Sequence, residues 1–124
     1  MPRRIALIGH CGPDSMGLRH AVLAVSGEDA QVVSVDSDDE LREFLKEPAD
    51  LLLINRLLEW GFKENHGVEL IRHLHKGHPK SKVMLISNLP DAQKAAVEAG
   101  AVQGFGKAEL GEAKVRQCLQ AALK

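Results

Sequence analysis

The run His10-Cys11-Gly12-Pro13-Asp14 gathers an imidazole, a thiol and a carboxylate within a few residues. Together they supply three of the ligand types used at Zn²⁺ sites, and His66 would offer a fourth. Adjacent His and Cys is not a common zinc spacing, however, and the chain contains no CxxC or HxxxH motif. A second chemistry is redox sensing, in which a thiol just ahead of a helix N-terminus has a lowered pKa. The third reading is a tight glycine–proline turn holding a quiet, partly buried thiol, and the spacing favours it. A nucleophile elbow over Gly9-His-Cys-Gly12 fails because Pro13 stands where the second glycine is needed. Further along, Asp50-Leu-Leu-Leu-Ile-Asn55 reads as a buried strand delivering a polar side chain, Asn55, at its end. An amide there is a poor nucleophile and brings no charge to a hard cation.

The other histidines carry less. His73 and His75 are two apart on a helix and point to different faces, and His20, His66 and His78 are read as exposed helix and loop residues. Cys118 falls on the apolar stripe of the last helix and is read as core.

Elements must position these groups. The 124 residues suffice for one domain. Lys plus Arg total 16 against 17 Asp plus Glu, so charge gives no reason to expect nucleic acid or an anionic membrane as partner. Ile5–Ile8 after Arg3-Arg4 is too short for a signal peptide or span, and Cys11 and Cys118 suggest no disulfide framework, so a cytoplasmic protein is expected.

Short apolar runs alternate with helical patterns, as in parallel sheets with crossover helices. Candidate strands are Ile5–Ile8, Gln31–Val35, Leu51–Ile54, Val83–Ile86 and a weak fifth, Val102–Phe105. These runs are read as lacking polar alternation, as expected when helices cover both faces. Leu18, Ala21, Val22 and Val25 recur at helical spacing, as do Val115, Cys118, Leu119 and Ala122. Ser37-Asp-Asp-Glu40 predicts a capping box opening a helix that buries Leu41, Phe44 and Leu45. A third helix starts near Val68, and a fourth, alanine-rich one spans Asp91–Ala99 and stops at Gly100.

Three stretches carry a family resemblance. Gly67-Val-Glu-Leu-Ile-Arg-His-Leu74, with Pro79 and Val83-Met-Leu-Ile-Ser87, resembles the third helix and fourth strand of bacterial two-component receiver domains. Ala96-Val-Glu-Ala-Gly-Ala101 followed by Lys107 resembles that family's fourth helix and fifth strand, and Asp50–Asn55 its third strand. The resemblance implies a flavodoxin-like, doubly wound, five-stranded parallel sheet of order 2-1-3-4-5 with helices on both faces. Ligands of such folds gather where the strand order reverses, at the carboxyl ends.

The family's site has two Mg²⁺-binding acids after strand one, an acceptor aspartate, a Ser or Thr, and a lysine. By that resemblance the acids fall on Gly9 and His10 (or His10 and Cys11), the acceptor on Asn55, the hydroxyl on Ser87 and the lysine on Lys107. Only Ser87 and Lys107 match. Ala108 replaces the family's proline, which predicts a trans peptide. Gly104 stands at the aromatic reporter position, with Phe105 beside it.

The pocket implied is His10, Cys11, Asn55, Ser87 and Lys107. Mg²⁺ binding is expected to be weak or absent, and no catalytic or metal-ligand residue is assigned. Lys107 is expected to lose its carboxylate partners, and His10 to add partial positive charge near neutral pH. The set then suits a small anion, or forms a locked pocket in which Lys107 bonds Asn55. Asp14, Asp36, Asp38 and Asp39 lie at the same end of the sheet, where a displaced acid would rescue metal binding or accept phosphate; a solvated helix start is the simpler account.

Trp60 and Phe62 occupy a loop longer than the family's common form. They either anchor an interface, with Phe105, or fold back over the sheet. The expectation is a stand-alone signalling module related to phosphorelay, non-enzymatic, with no output domain after Lys124. It would act through a protein partner, or a homodimer through the last two helices and fifth strand. The alternatives are a small-ligand sensor and a true receiver phosphorylated at a substitute acid.

Overall fold

The computed structural model describes residues 2–124. Each apolar run forms a strand and each helical pattern a crossover: β1 (Arg4–Ile8), α1 (Gly12–Ser26), β2 (Gln31–Val35), α2 (Asp38–Phe44), β3 (Leu51–Asn55), α3 (Gly67–Gly77), β4 (Lys82–Ile86), α4 (Pro90–Glu98), β5 (Val102–Phe105), a 3-10 turn (Lys107–Glu109) and α5 (Ala113–Ala122). The sheet runs β2-β1-β3-β4-β5, and all its pairings are parallel. This is the flavodoxin-like architecture expected from the sequence.

Successive side chains along a strand point to opposite faces, which divides the core in two. Ala6, Ile8, Leu52 and Ile54 pack with Leu41, Phe44, Leu70, Ile71, Leu74 and Ala96 beneath α2, α3 and α4. Ile5, Leu7, Leu51 and Leu53 pack with Leu18, Val22, Val115 and Leu119 beneath α1 and α5. The unbroken apolar run Leu51–Ile54 is explained by that double coverage.

The predicted boundaries shift by a residue or two. β3 extends to Asn55, which lies opposite Ile86 on β4. The Ser37 hydroxyl accepts from Glu40 N at 3.1 Å, but the Glu40 carboxylate reaches Asp36 N at 2.8 Å rather than Ser37 N. The capping box is therefore displaced by one residue. Leu45 is half-buried, packed at the edge of the core. α4 ends at Glu98, and Gly100 turns away at φ 116°. No peptide bond among the described residues is cis.

β5 meets β4 irregularly: Met84 lies opposite Val102, and Ile86 opposite Phe105, so β5 carries one extra residue. Between β3 and α3 the long loop is a pinned hairpin. Leu57 bridges His66, Leu58 N donates to Asn65 O at 2.9 Å, and Asp38 N donates to Gly61 O at 2.8 Å. No helix among the described residues is long and apolar enough to cross a membrane.

Candidate functional site

At the carboxyl ends of β1, β3 and β5, Lys107 forms a bar across the top of the sheet. Its ammonium donates to Asn55 Oδ1 at 3.0 Å and to Asp14 Oδ2 at 2.8 Å. Asn55 Nδ2 donates to Leu57 O at 2.9 Å, so both ends of the amide are engaged. The expectation that Lys107 lacks a carboxylate partner is corrected here. Asp14, in the first turn of α1, reaches back across the loop to supply one. Its carboxyl is held below the usual range, first by the Lys107 hydrogen bond and then by one from Cys11. The ion pair is partly solvated, and Asp14→Asn is expected to lower stability by less than about 1 kcal/mol in urea unfolding.

His10 corrects a second expectation. Its ring turns inward, and Nε2 lies 2.9 Å from Leu53 O. A carbonyl only accepts, so Nε2 carries the proton and Nδ1 is an acceptor, here without a partner. Burial lowers the His10 pKa to about 4; Lys107 adds to this, while the Leu53 carbonyl and Asp14 oppose it. The ring is therefore neutral at pH 7 and contributes no positive charge. Cys11 caps the start of α1 with its backbone and is exposed rather than partly buried. Among the described residues no group of three or more His, Cys, Asp or Glu side chains has a geometry that holds a metal, so His10, Cys11, Asp14 and His66 do not assemble the zinc set.

The expected pocket is two clefts separated by the Asn55–Lys107 contact. One, of about 300 Å³, is lined by Arg56, Ser87 and Asn88 together with Asn55 and Lys107. The other, of about 410 Å³, is lined by His10, Cys11, Asp14, Asp36, Glu59 and Trp60, and shares Asn55 and Lys107. Ser87 is buried, and its hydroxyl accepts from Leu89 N at 3.1 Å.

The three aromatics separate. Trp60 is 92% exposed at the hairpin tip, Phe62 packs against the core, and Phe105 is buried at 1% exposure. Phe105 therefore presents nothing to a partner. Cys118 packs against the core on α5 and is half-buried, with burial raising its thiol pKa.

Two residues of the site escape the sequence reading. Gln93, on α4, is buried, and the two N–H groups of its Nε2 are shared among Leu85 O at 2.9 Å, Ser87 O at 3.1 Å and Phe105 O at 3.2 Å. Asn88 Oδ1 accepts from Ala108 N at 3.1 Å. Together they tie the loop after β4 to the end of β5. A glutamine in an alanine-rich helix gives no sign of burial; the missing side chain at Gly104 is the one available signal.

No protein-family model matches the sequence, and comparison with curated proteins finds no match. Solved structures do match. The signal receiver domain of an HD domain-containing protein from Pseudomonas fluorescens Pf-5 superposes with a TM-score of 0.76 at 17% identity, over 98% of this chain and 87% of that one. The receiver domain of a DNA-binding response regulator from Colwellia psychrerythraea 34H gives 0.75 at 14% identity, over 96% of each chain. The beryllofluoride-activated NtrC4 receiver domain, solved as a dimer, gives 0.69 at 17% identity, over 97% and 95%. At such identities the likeness establishes the receiver-type fold.

Proposed function

We propose that this chain is a receiver-like signalling module that works by binding another protein, without a phosphoryl switch and without enzymatic activity. The observation that carries the reading is the Asp14–Lys107–Asn55 bridge: the acceptor position holds an amide whose oxygen is already engaged, and an internal carboxylate neutralises the lysine. Mg²⁺ seeks carboxylate, water and phosphate oxygens. Here the positions that would ligate it present Gly9, an inward-turned neutral His10 and Asn55, with an ammonium between them. Asp14, Asp36 and Glu59 line the same cleft, but Asp14 is engaged by Lys107. No three His, Cys, Asp or Glu side chains among the described residues are placed to hold a metal, so the donor set does not fit Mg²⁺. Gln93 and Asn88 further tie the loop after β4 to the end of β5.

The partner is a protein of a two-component or related pathway, not nucleic acid or a membrane, and two unpaired cysteines agree with a cytoplasmic location. A homodimer through α4, β5 and α5 is a second mode of assembly, in keeping with the dimer described for the NtrC4 domain. One observation favours a second reading, a small-anion sensor: Arg56 and Lys107 both line the cleft beside Ser87.

The test is the Asn55→Asp variant treated with acetyl phosphate and Mg²⁺. Its intact mass is expected to stay unchanged, because the metal ligands are still missing. Efficient Mg²⁺-dependent phosphorylation of that single variant would sink the proposal.

A further inference from the structure

The hairpin after β3 spends several hydrogen bonds on holding its tip. Besides the Leu57–His66 bridge and the Gly61 contact, Phe62 N donates to Glu59 O at 3.1 Å and Lys63 N to Asp38 Oδ2 at 2.8 Å. Leu58 and Phe62 anchor it to the core. A loop so tied would be expected to bury its largest apolar side chain, yet it carries Trp60 almost fully exposed beside the 410 Å³ cleft.

The cleft is built of acceptors. Asp36 and Glu59 are exposed, and among the described residues neither has a cation within salt-bridge distance. Neither hairpin cation, Arg56 or Lys63, lines this cleft, and Lys107, which does, is held by Asp14 and Asn55. Two exposed, unpaired carboxylates beside an exposed aromatic face suit a planar group that only donates and carries positive charge. An arginine guanidinium has that chemistry: it stacks on an indole while its N–H groups reach carboxylates.

We infer that Trp60, Asp36 and Glu59 form a docking site for an arginine-bearing segment of a partner protein, with Trp60 stacking on the guanidinium and the two carboxylates accepting from it. The inference rests on the protein-binding reading above and specifies the partner's chemistry. Trp60 is the only tryptophan, so its fluorescence reports occupancy.

The experiment is a titration of the full chain at low salt with a blocked tetra-arginine peptide, with blocked tetraglutamate as the comparison. A saturable change in Trp60 emission is expected with tetra-arginine and none with tetraglutamate. Affinity should fall about tenfold or more in the Asp36→Asn, Glu59→Gln double variant, in line with the loss of charged hydrogen bonds. Both side chains are exposed, so the fold should be unaffected, which circular dichroism checks. Trp60→Ala, followed by calorimetry, should bind at least tenfold more weakly. No saturable response, or equal binding by the double variant, would overturn the docking site. Either result leaves the phosphorylation test unchanged, so loss of this inference is distinguishable from loss of the functional reading.

Discussion

Acidification from pH 7 to pH 4 is expected to remove on the order of 3 kcal/mol of stability through His10 alone. The folded pKa, about 4, lies below the ordinary value of 6.5. The unfolded chain therefore takes up a proton before the folded one does. Stability from the buried neutral ring is complete above pH 6.5 and declines as pH falls toward 4. For a domain stable by roughly 5–15 kcal/mol, that is a substantial share. Asp14, Glu69 and Glu109 also have lowered pKa values, but their contribution is lost in a window below the ordinary carboxylate range. His10→Gln separates the two effects, since a glutamine amide can donate to Leu53 O without titrating. Urea midpoints followed by circular dichroism should be much flatter between pH 4 and 6.5 in the variant; a wild-type slope would contradict the account. Trp60 is a poor unfolding probe for this purpose because it is already solvated in the folded state.

Gly104→Ala is expected to destabilise the protein by roughly 3 kcal/mol, the upper part of the range for overpacking. A Cβ at that position would lie 2.1 Å from Leu85 O, 2.9 Å from Gln93 Oε1 and 3.0 Å from Met84 Cγ. The side-chain atoms can give, but the carbonyl belongs to Leu85 of β4, which is fully buried and held between β3 and β5. Gly12→Ala, where a Cβ meets nothing within 4 Å, is the control and should stay within about 0.5 kcal/mol. Gln93→Ala added to Gly104→Ala should not restore stability, because the backbone contact remains. Thermal or urea unfolding of the three variants checks the ordering. A side chain at Gly104 would meet Leu85 O, the Gln93 carboxamide and Met84, so the site has no room for an aromatic there. Gln93 Nε2 lies within hydrogen-bond distance of carbonyls at the ends of both β4 and β5 and so links the two strands.

The sequence revealed most where chemistry is periodic and least where direction depends on a single dihedral. Leu51–Ile54 reads as a doubly covered strand because an unbroken apolar run has no solvent face. Asn55 at its end, and its contact with Lys107, follow once that strand is placed in one parallel sheet with β5, with β4 between them. His10 does not follow: Gly9, at φ 76°, sets the direction of the chain after β1, and the ring goes inward instead of into a cationic pocket. The Asp14–Lys107 pair spans 93 residues and depends on how the first turn of α1 is rotated. Trp60 and Phe62 have similar compositional weight, yet the turn between Glu59 and Phe62 directs one outward and the other into the core. Phe105 looks like a surface aromatic beside a glycine until the extra residue in β5 is recognised.

The most direct measurement is the intact mass of the unaltered chain after incubation with acetyl phosphate and Mg²⁺, with peptide mapping of any product. The account predicts no added phosphoryl group, because Asn55 offers no carboxylate and Lys107 is already bound to Asp14. Stoichiometric Mg²⁺-dependent phosphorylation mapping to Asp14 or Asp36 would contradict it, and would make the protein a working receiver with a displaced acceptor.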